Sequence, residues 1–173
     1  RAHFVKRLRE VTPVIHREFS GGREVLELRY ETVKNIPDPE ASPRELLPLL
    51  LEHQNSHRRA ELETRQCLSG PHKDDLEVLI DGVSAKTFAS QGQTRTAALS
   101  LKLASREIIQ QDTGEWPVLL LDDVLSELDA KRQEFVLRRI TGGQVFITCC
   151  GDMGISALEG GRTFRIQEGK IVS

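Results

Sequence analysis

The segment Val118-Leu119-Leu120-Leu121-Asp122-Asp123 constrains the fold of this chain more than any other. The apolar run from Trp116 to Leu121 has no polar face. Its spacing predicts a strand buried on both sides, as in a parallel sheet covered by helices. The acids that follow lie where open α/β sheets bind ligands, at the carboxyl end of a strand. Helix and strand patterns alternate around it. Thr94 to about Gln110 reads as a helix, with Ala97, Leu101, Ala104 and Ile108 on one face. Asp129–Ile140 reads as a second helix and Gln144–Thr148 as a second buried strand, with a short hairpin over Thr163–Ile166 and Ile171-Val172. That alternation predicts the α/β class.

The upstream residues are patterned differently. Phe4, Val5, Leu8, Val11, Val14, Ile15 and Phe19 have helical spacing, which Pro13 is expected to kink or divide. Gly21-Gly22 is a stop signal, and alternation at Leu26, Leu28 and Tyr30 predicts a strand. Prolines between Asn35 and Pro43 mark a loop, and Arg44 to about Arg65 reads as a Leu-rich helix with a charged end. Leu76–Ile80, Asp81-Gly82 and Val83 predict a hairpin with a type I′ turn.

Composition narrows the function classes. At 173 residues, 38% apolar and 29% charged, the chain can bury a core, made mostly of aliphatic groups because aromatics are 5%. A net charge of −2 is not the basic excess of many nucleic-acid binders, so any such surface must be local. Cys67, Cys149 and Cys150 form neither a disulfide framework nor a CxxC pair, and a reducing, cytoplasmic setting is expected. No run approaches a membrane span, and the amino terminus is not a signal peptide. Met153 is the only methionine, and the chain is expected to be part of a longer protein.

Three motifs carry chemistry. Val118 to Asp123 fits a Walker B strand, in which Asp122 would hold Mg²⁺ and Asp123 would orient or deprotonate an attacking water. The plain alternative is a strand ending in a polar turn. Ser90-Gln91-Gly92-Gln93 precedes the Thr94 helix. A Ser and a Gly at a helix start present free N–H groups to a phosphate. An ordinary Ser N-cap is the competing reading. Ser126-Glu127-Leu128-Asp129 fits a D-loop, and equally a cap for the helix that follows. The order of signature, helix, acidic strand end, D-loop and further strand is that of the carboxyl-terminal lobe of an ABC ATPase head.

Within that class, Ser69-Gly70-Pro71-His72-Lys73-Asp74-Asp75-Leu76, Ser90–Thr96 and Leu119–Asp129 resemble the RecF family. The resemblance is detailed over residues 66–150. It implies a cytosolic, DNA-binding ATPase of replication, recombinational repair and the SOS response, one that dimerises around ATP on DNA. It also implies help in loading recombinase at gaps with RecO and RecR. Residues 1–65 would belong to a helical arm and 66–173 to the head lobe. Nucleotide contacts would come from Ser90, Gln91, Gly92, Gln93, Ser126, Asp129 and Thr148, with Asp122 on Mg²⁺ and Asp123 catalytic. Thr148-Cys149-Cys150 lacks the His that transporter ATPases place after this strand. No G-x-x-x-x-G-K-[ST] occurs, so the chain alone is expected not to turn over ATP. His72 has no chemical role legible from its neighbours. Arg58, Arg59 and Arg65 read as a solvated helix face, with DNA phosphates as the alternative partner. An SMC-like head would call for sustained heptads, which residues 1–65 lack. A non-catalytic module retaining the interface would have no need of Ser90, Asp122 and Asp123 together.

Overall fold

The computed structural model describes residues 1–150 and 161–172, which form two compact units, Arg1–Gly114 and Glu115–Ser173. In the first unit, α1 (Ala2–Phe19) packs on the long helix α4 (Gln91–Thr113). A three-stranded antiparallel sheet has the order β1 (Leu26–Glu31), β2 (Asp75–Ile80), β3 (Val83–Ser84). The helix α2 (Pro43–Thr64) and the short α3 (Ala85–Phe88) complete it. The β1–β2 register pairs Leu26 with Ile80 and Leu28 with Val78, and Leu26, Leu28, Leu79 and Ile80 are buried.

Local chemistry explains most of these boundaries. The β2–β3 turn has Asp81 and Gly82 at φ 51° and 79°, as a type I′ turn requires. Asp81 also ties the turn to β1, its amide donating to the Val25 carbonyl and its carboxylate accepting from the Val25 amide. Gly21 and Gly22, both at positive φ, end α1. In contrast to the expected kink or break, α1 runs unbroken through Pro13. A mid-helix proline costs about 3 kcal/mol. Ile15 and Phe19, beyond it, are 0% and 4% exposed, and burying each contributes about 1.5–3 kcal/mol. Packing therefore offsets the lost hydrogen bond.

A polar cluster lies inside the α1–α4 contact. His16 is fully buried, with Nε2 3.0 Å from Glu24 Oε2 and Nδ1 3.3 Å from Ser100 Oγ. The Ser100 hydroxyl donates to the Thr96 carbonyl at 2.7 Å, so toward His16 its oxygen accepts. At the far end of β1, Asp74 accepts from Tyr30 at 2.6 Å and from Thr32 at 2.7 Å, anchoring the segment that enters β2 to the end of β1. Burial, then this hydrogen bond, pushes the Tyr30 phenol up to about 12.

The second unit is built on β4 (Leu119–Asp122) and β5 (Val145–Thr148), paired in parallel, with α5 (Ala130–Arg139) between them in sequence. The chain ends in a hairpin of β6 (Ile166-Gln167) and β7 (Lys170-Ile171), shorter than its apolar pattern suggested. The strand β4 departs from the expected two-sided burial. Leu119 and Leu121 are buried, but Leu120 is 57% exposed and its neighbour across the pair, Phe146, is 53% exposed. In a two-stranded sheet the pleat sends alternate side chains to opposite faces, and here only one face is covered.

His16→Ala should destabilise the chain by about 3 kcal/mol, since it opens a cavity and removes the hydrogen-bond partner of the Glu24 carboxylate. Denaturant unfolding measures this, and a loss under about 1 kcal/mol would show that the cluster adds little to the helix contact.

Candidate functional site

The pairing of β4 with β5 builds the acidic end of the site. Its register sets Asp122 opposite Thr148. The Thr148 hydroxyl donates to Asp122 Oδ1, and its oxygen accepts the Asp123 amide at 2.9 Å. The same amide approaches the Thr148 carbonyl at 3.1 Å. One hydroxyl thus fixes both acids, through the side chain of one and the backbone of the other. Asp123 has φ 50°, a left-handed conformation that Asp tolerates better than most residues. Its carboxylate accepts from the Ser126 hydroxyl at 2.6 Å, and its carbonyl approaches the same hydroxyl at 2.7 Å.

Ser126 lies in a short 3₁₀ turn over Leu125–Glu127, and Asp129 then caps α5. Asp129 Oδ1 accepts the Arg132 amide at 3.0 Å, and Oδ2 lies 3.5 Å from the Arg132 guanidinium. Gln133, to which the sequence reading gave no role, donates to the carbonyls of Leu125 and Leu128 at 2.8 and 3.0 Å and holds the turn. Its only sequence signal is its place four residues after the cap. The structure therefore brings Asp122, Asp123, Ser126 and Thr148 into one hydrogen-bonded group, with Asp129 at the helix start that follows. All five are exposed.

The expected nucleotide contacts at Ser90–Gln93 belong to the other unit. There α4 begins at Gln91, three residues before the predicted start, because Ser90 and Gln93 form a capping box. Ser90 Oγ accepts the Gln93 amide at 3.3 Å, and Gln93 Oε1 accepts the Ser90 amide at 3.0 Å. Gln91 and Gly92 stand in the first turn, and their amides have no acceptor within the helix. Ser90 is thus an N-cap, and the helix start it caps still carries donors that suit a phosphate.

His72 has a structural position. Its Nε2 lies 2.8 Å from the Cys67 carbonyl, across a turn in which Gly70 has φ 125° and Pro71 opens a 3₁₀ turn. Residues 67–72 are further held by His53 Nδ1, 2.6 Å from Ser69 Oγ.

A magnesium site fits these residues in part. The Thr148 hydroxyl takes one oxygen of Asp122, and the other is open. No group of three or more His, Cys, Asp or Glu that could hold a metal exists among the described residues. A cation at Asp122 would draw its other ligands from water and phosphate oxygens, as Mg²⁺ commonly does. Among the described residues no helix is long and apolar enough to cross a membrane.

Known proteins match the chain over nearly its whole length. No family model matches the chain. The DNA replication and repair protein RecF of Acetivibrio thermocellus is 44% identical over 174 residues, covering 95% of this chain and 47% of that protein. RecF of Staphylococcus epidermidis is 41% identical over 175 residues, covering 99% of this chain and 47% of that protein. Two solved structures of the recombination mediator protein RecF in the RecFOR pathway, one with ATP and one with ATPγS, match with TM-scores of 0.78 and 0.77. Both are 35% identical, covering 98% of this chain and 44% of the solved one. The fold is the α/β carboxyl-terminal lobe of an ABC-type ATPase head. The chain belongs to the RecF family and corresponds to the carboxyl-terminal part of its members. It spans about half the length of the curated relatives it matches.

Thr148→Val should cost about 0.5–1 kcal/mol, the low end for a hydrogen-bonded group because the site is exposed. Thr148→Ser, which keeps the hydroxyl, should stay near wild type in the same unfolding measurement. Equal losses in both variants would mean that the hydroxyl does not organise the two acids.

Proposed function

We propose that this chain supplies the signature, Walker B and D-loop elements of a RecF-type ATPase. The intact protein would bind DNA in the cytoplasm, dimerise around ATP, and assist recombinase loading at gaps with RecO- and RecR-type partners. Replication, recombinational repair and SOS induction are the processes it would serve. The hydrogen-bonded group of Asp122, Asp123, Ser126 and Thr148 at the end of paired parallel strands carries this reading. Such a group has no evident use in a module that only packs. The assignment of residues 1–65 to an arm and 66–173 to the head lobe is one of domain origin. The compact unit is larger, because β1 pairs with β2 and α1 packs on α4.

In this reading Asp122 is the carboxylate toward Mg²⁺, and Asp123 orients the attacking water. The Ser126 hydroxyl on Asp123 Oδ1 keeps that oxygen hydrogen-bonded and leaves Oδ2 for the water. Mg²⁺, when bound, would neutralise charge on the transferring phosphate. Ser90 and the amides of Gln91 and Gly92 act in trans, toward the nucleotide held by a second copy, with Gln93 closing the cap. Ser126, Asp129 and Thr148 line the same interface. The matched structures, of RecF with ATP and with ATPγS, support nucleotide as the ligand.

Asp123→Asn in the full-length protein should slow ATP hydrolysis about 10²–10⁴-fold while ATP binding survives. Steady-state phosphate release with a nucleotide-binding assay checks both, and normal turnover would remove Asp123 from the mechanism. Ser90→Arg should leave each monomer able to bind ATP but abolish ATP-dependent dimerisation, read by sedimentation with and without nucleotide. If Ser90 is only a cap, the loss is about 0.5–2 kcal/mol of stability with dimerisation intact.

A further inference from the structure

The helix α2 has no buried residue along its 22 residues, yet it ends beside a cavity of about 450 Å³. Arg58 and Arg65 line this cavity, with the amide side chains of Gln54, Asn55 and Gln66. The three arginines of this region differ in their surroundings. Arg59 donates to Glu63 at 2.9 Å on the exposed side of the helix. Neither Arg58 nor Arg65 has a hydrogen-bond or ion-pair partner among the described residues. The one carboxylate in the lining, Glu61, accepts the Leu68 amide at 2.6 Å through one oxygen and keeps its charge. The cavity therefore presents two guanidinium groups and three amides against one carboxylate, a net positive charge.

Arg65 adds an independent observation. It is the C-cap of α2, at φ 55° and ψ 31°, a left-handed position where glycine is the usual residue. A long side chain there is strained, and strain of this kind collects at ligand-binding positions. A cation near a helix carboxyl end also complements the helix dipole, so the strain alone does not decide the matter. The cavity does, because Arg58 lies almost two turns inside the helix and faces the same space.

We propose that this cavity is a phosphate-binding site for the backbone of DNA, with Arg58 and Arg65 as its charged ligands. The inference rests on the reading of the intact protein as a DNA-binding ATPase. Guanidinium groups and amides offer donors to phosphate oxygens without reading base sequence. An acidic peptide would need apolar anchors beside its charges, and the cavity offers one exposed leucine, Leu62.

The test uses the full-length protein and a duplex DNA of random sequence, titrated over a range of salt with ATP and Mg²⁺ present. Arg58→Ala with Arg65→Ala should weaken binding about tenfold at low salt, and each lost contact should lower the slope of log K against log salt by about 1. Arg59→Ala serves as the control and should leave both quantities unchanged. Arg65→Gly separates site from scaffold: it should keep or raise the melting temperature, since glycine suits φ 55°, while still weakening DNA binding. Unchanged affinity and slope in the double variant and in Arg65→Gly would overturn the site, and would leave an acidic protein segment as its partner. Absence of DNA binding by the wild-type protein would instead overturn the functional reading, and the site with it.

Discussion

The contact of α1 with α4, with His16 held between Glu24 and Ser100, is the constraint on which the first unit depends. It joins residues more than eighty positions apart in sequence. A buried histidine between a carboxylate and a hydroxyl tolerates few other arrangements, because any slip of α1 along α4 leaves a polar group unsatisfied. Apolar packing supplies the bulk of the stabilisation, through Leu8, Ile15, Phe19, Leu103, Ala104 and Ile108. The polar cluster selects one register among the several that such packing would allow. Because α4 begins just after its cap, Ser90, the same contact fixes where the first-turn amides lie within their unit.

The acidic site in the second unit is organised by a different device. Parallel pairing sets Thr148 beside Asp122, and one hydroxyl then serves two acids. The left-handed turn at Asp123 directs the chain out of the strand and lets Ser126 reach back. The exposed face carrying Leu120 and Phe146 also carries Asp122 and Thr148, by the period of two along each strand. Strain, exposure and unpaired sheet face thus gather at the residues assigned to chemistry, where local rules are most often set aside.

Much of this was legible in the residues. The Asp81-Gly82 turn, the Gly21-Gly22 stop and the strand ending in Asp122 follow from rules that act over a few positions. So do the caps at Ser90 and Asp129, although the apolar spacing that marks α4 starts later than the first turn at Gln91–Gln93, which the reciprocal Ser90–Gln93 bonds add. The sequence misjudged Pro13, because its cost is local while the burial of Ile15 and Phe19 that offsets it comes from a partner helix far along the chain. It misjudged Leu120 for a related reason. An apolar run reports that a strand can be buried on both faces, and not how many strands or helices are present to cover it.

By itself, then, the sequence determined the class of the fold, the order of its motifs and the identity of the acids, since these depend on composition and short spacing. Only the tertiary structure decided which groups meet. Gln133 clamping the carbonyls of Leu125 and Leu128, Thr148 joining Asp122 to Asp123, and His16 reaching from α1 to Ser100 of α4 are contacts between residues whose spacing carries no periodic signal. The same holds for the arginines of α2, equivalent in sequence as a solvated face. Their difference arises because Glu63 sits one helical turn beyond Arg59, while Arg58 and Arg65 turn toward a cavity formed where the chain leaves the helix.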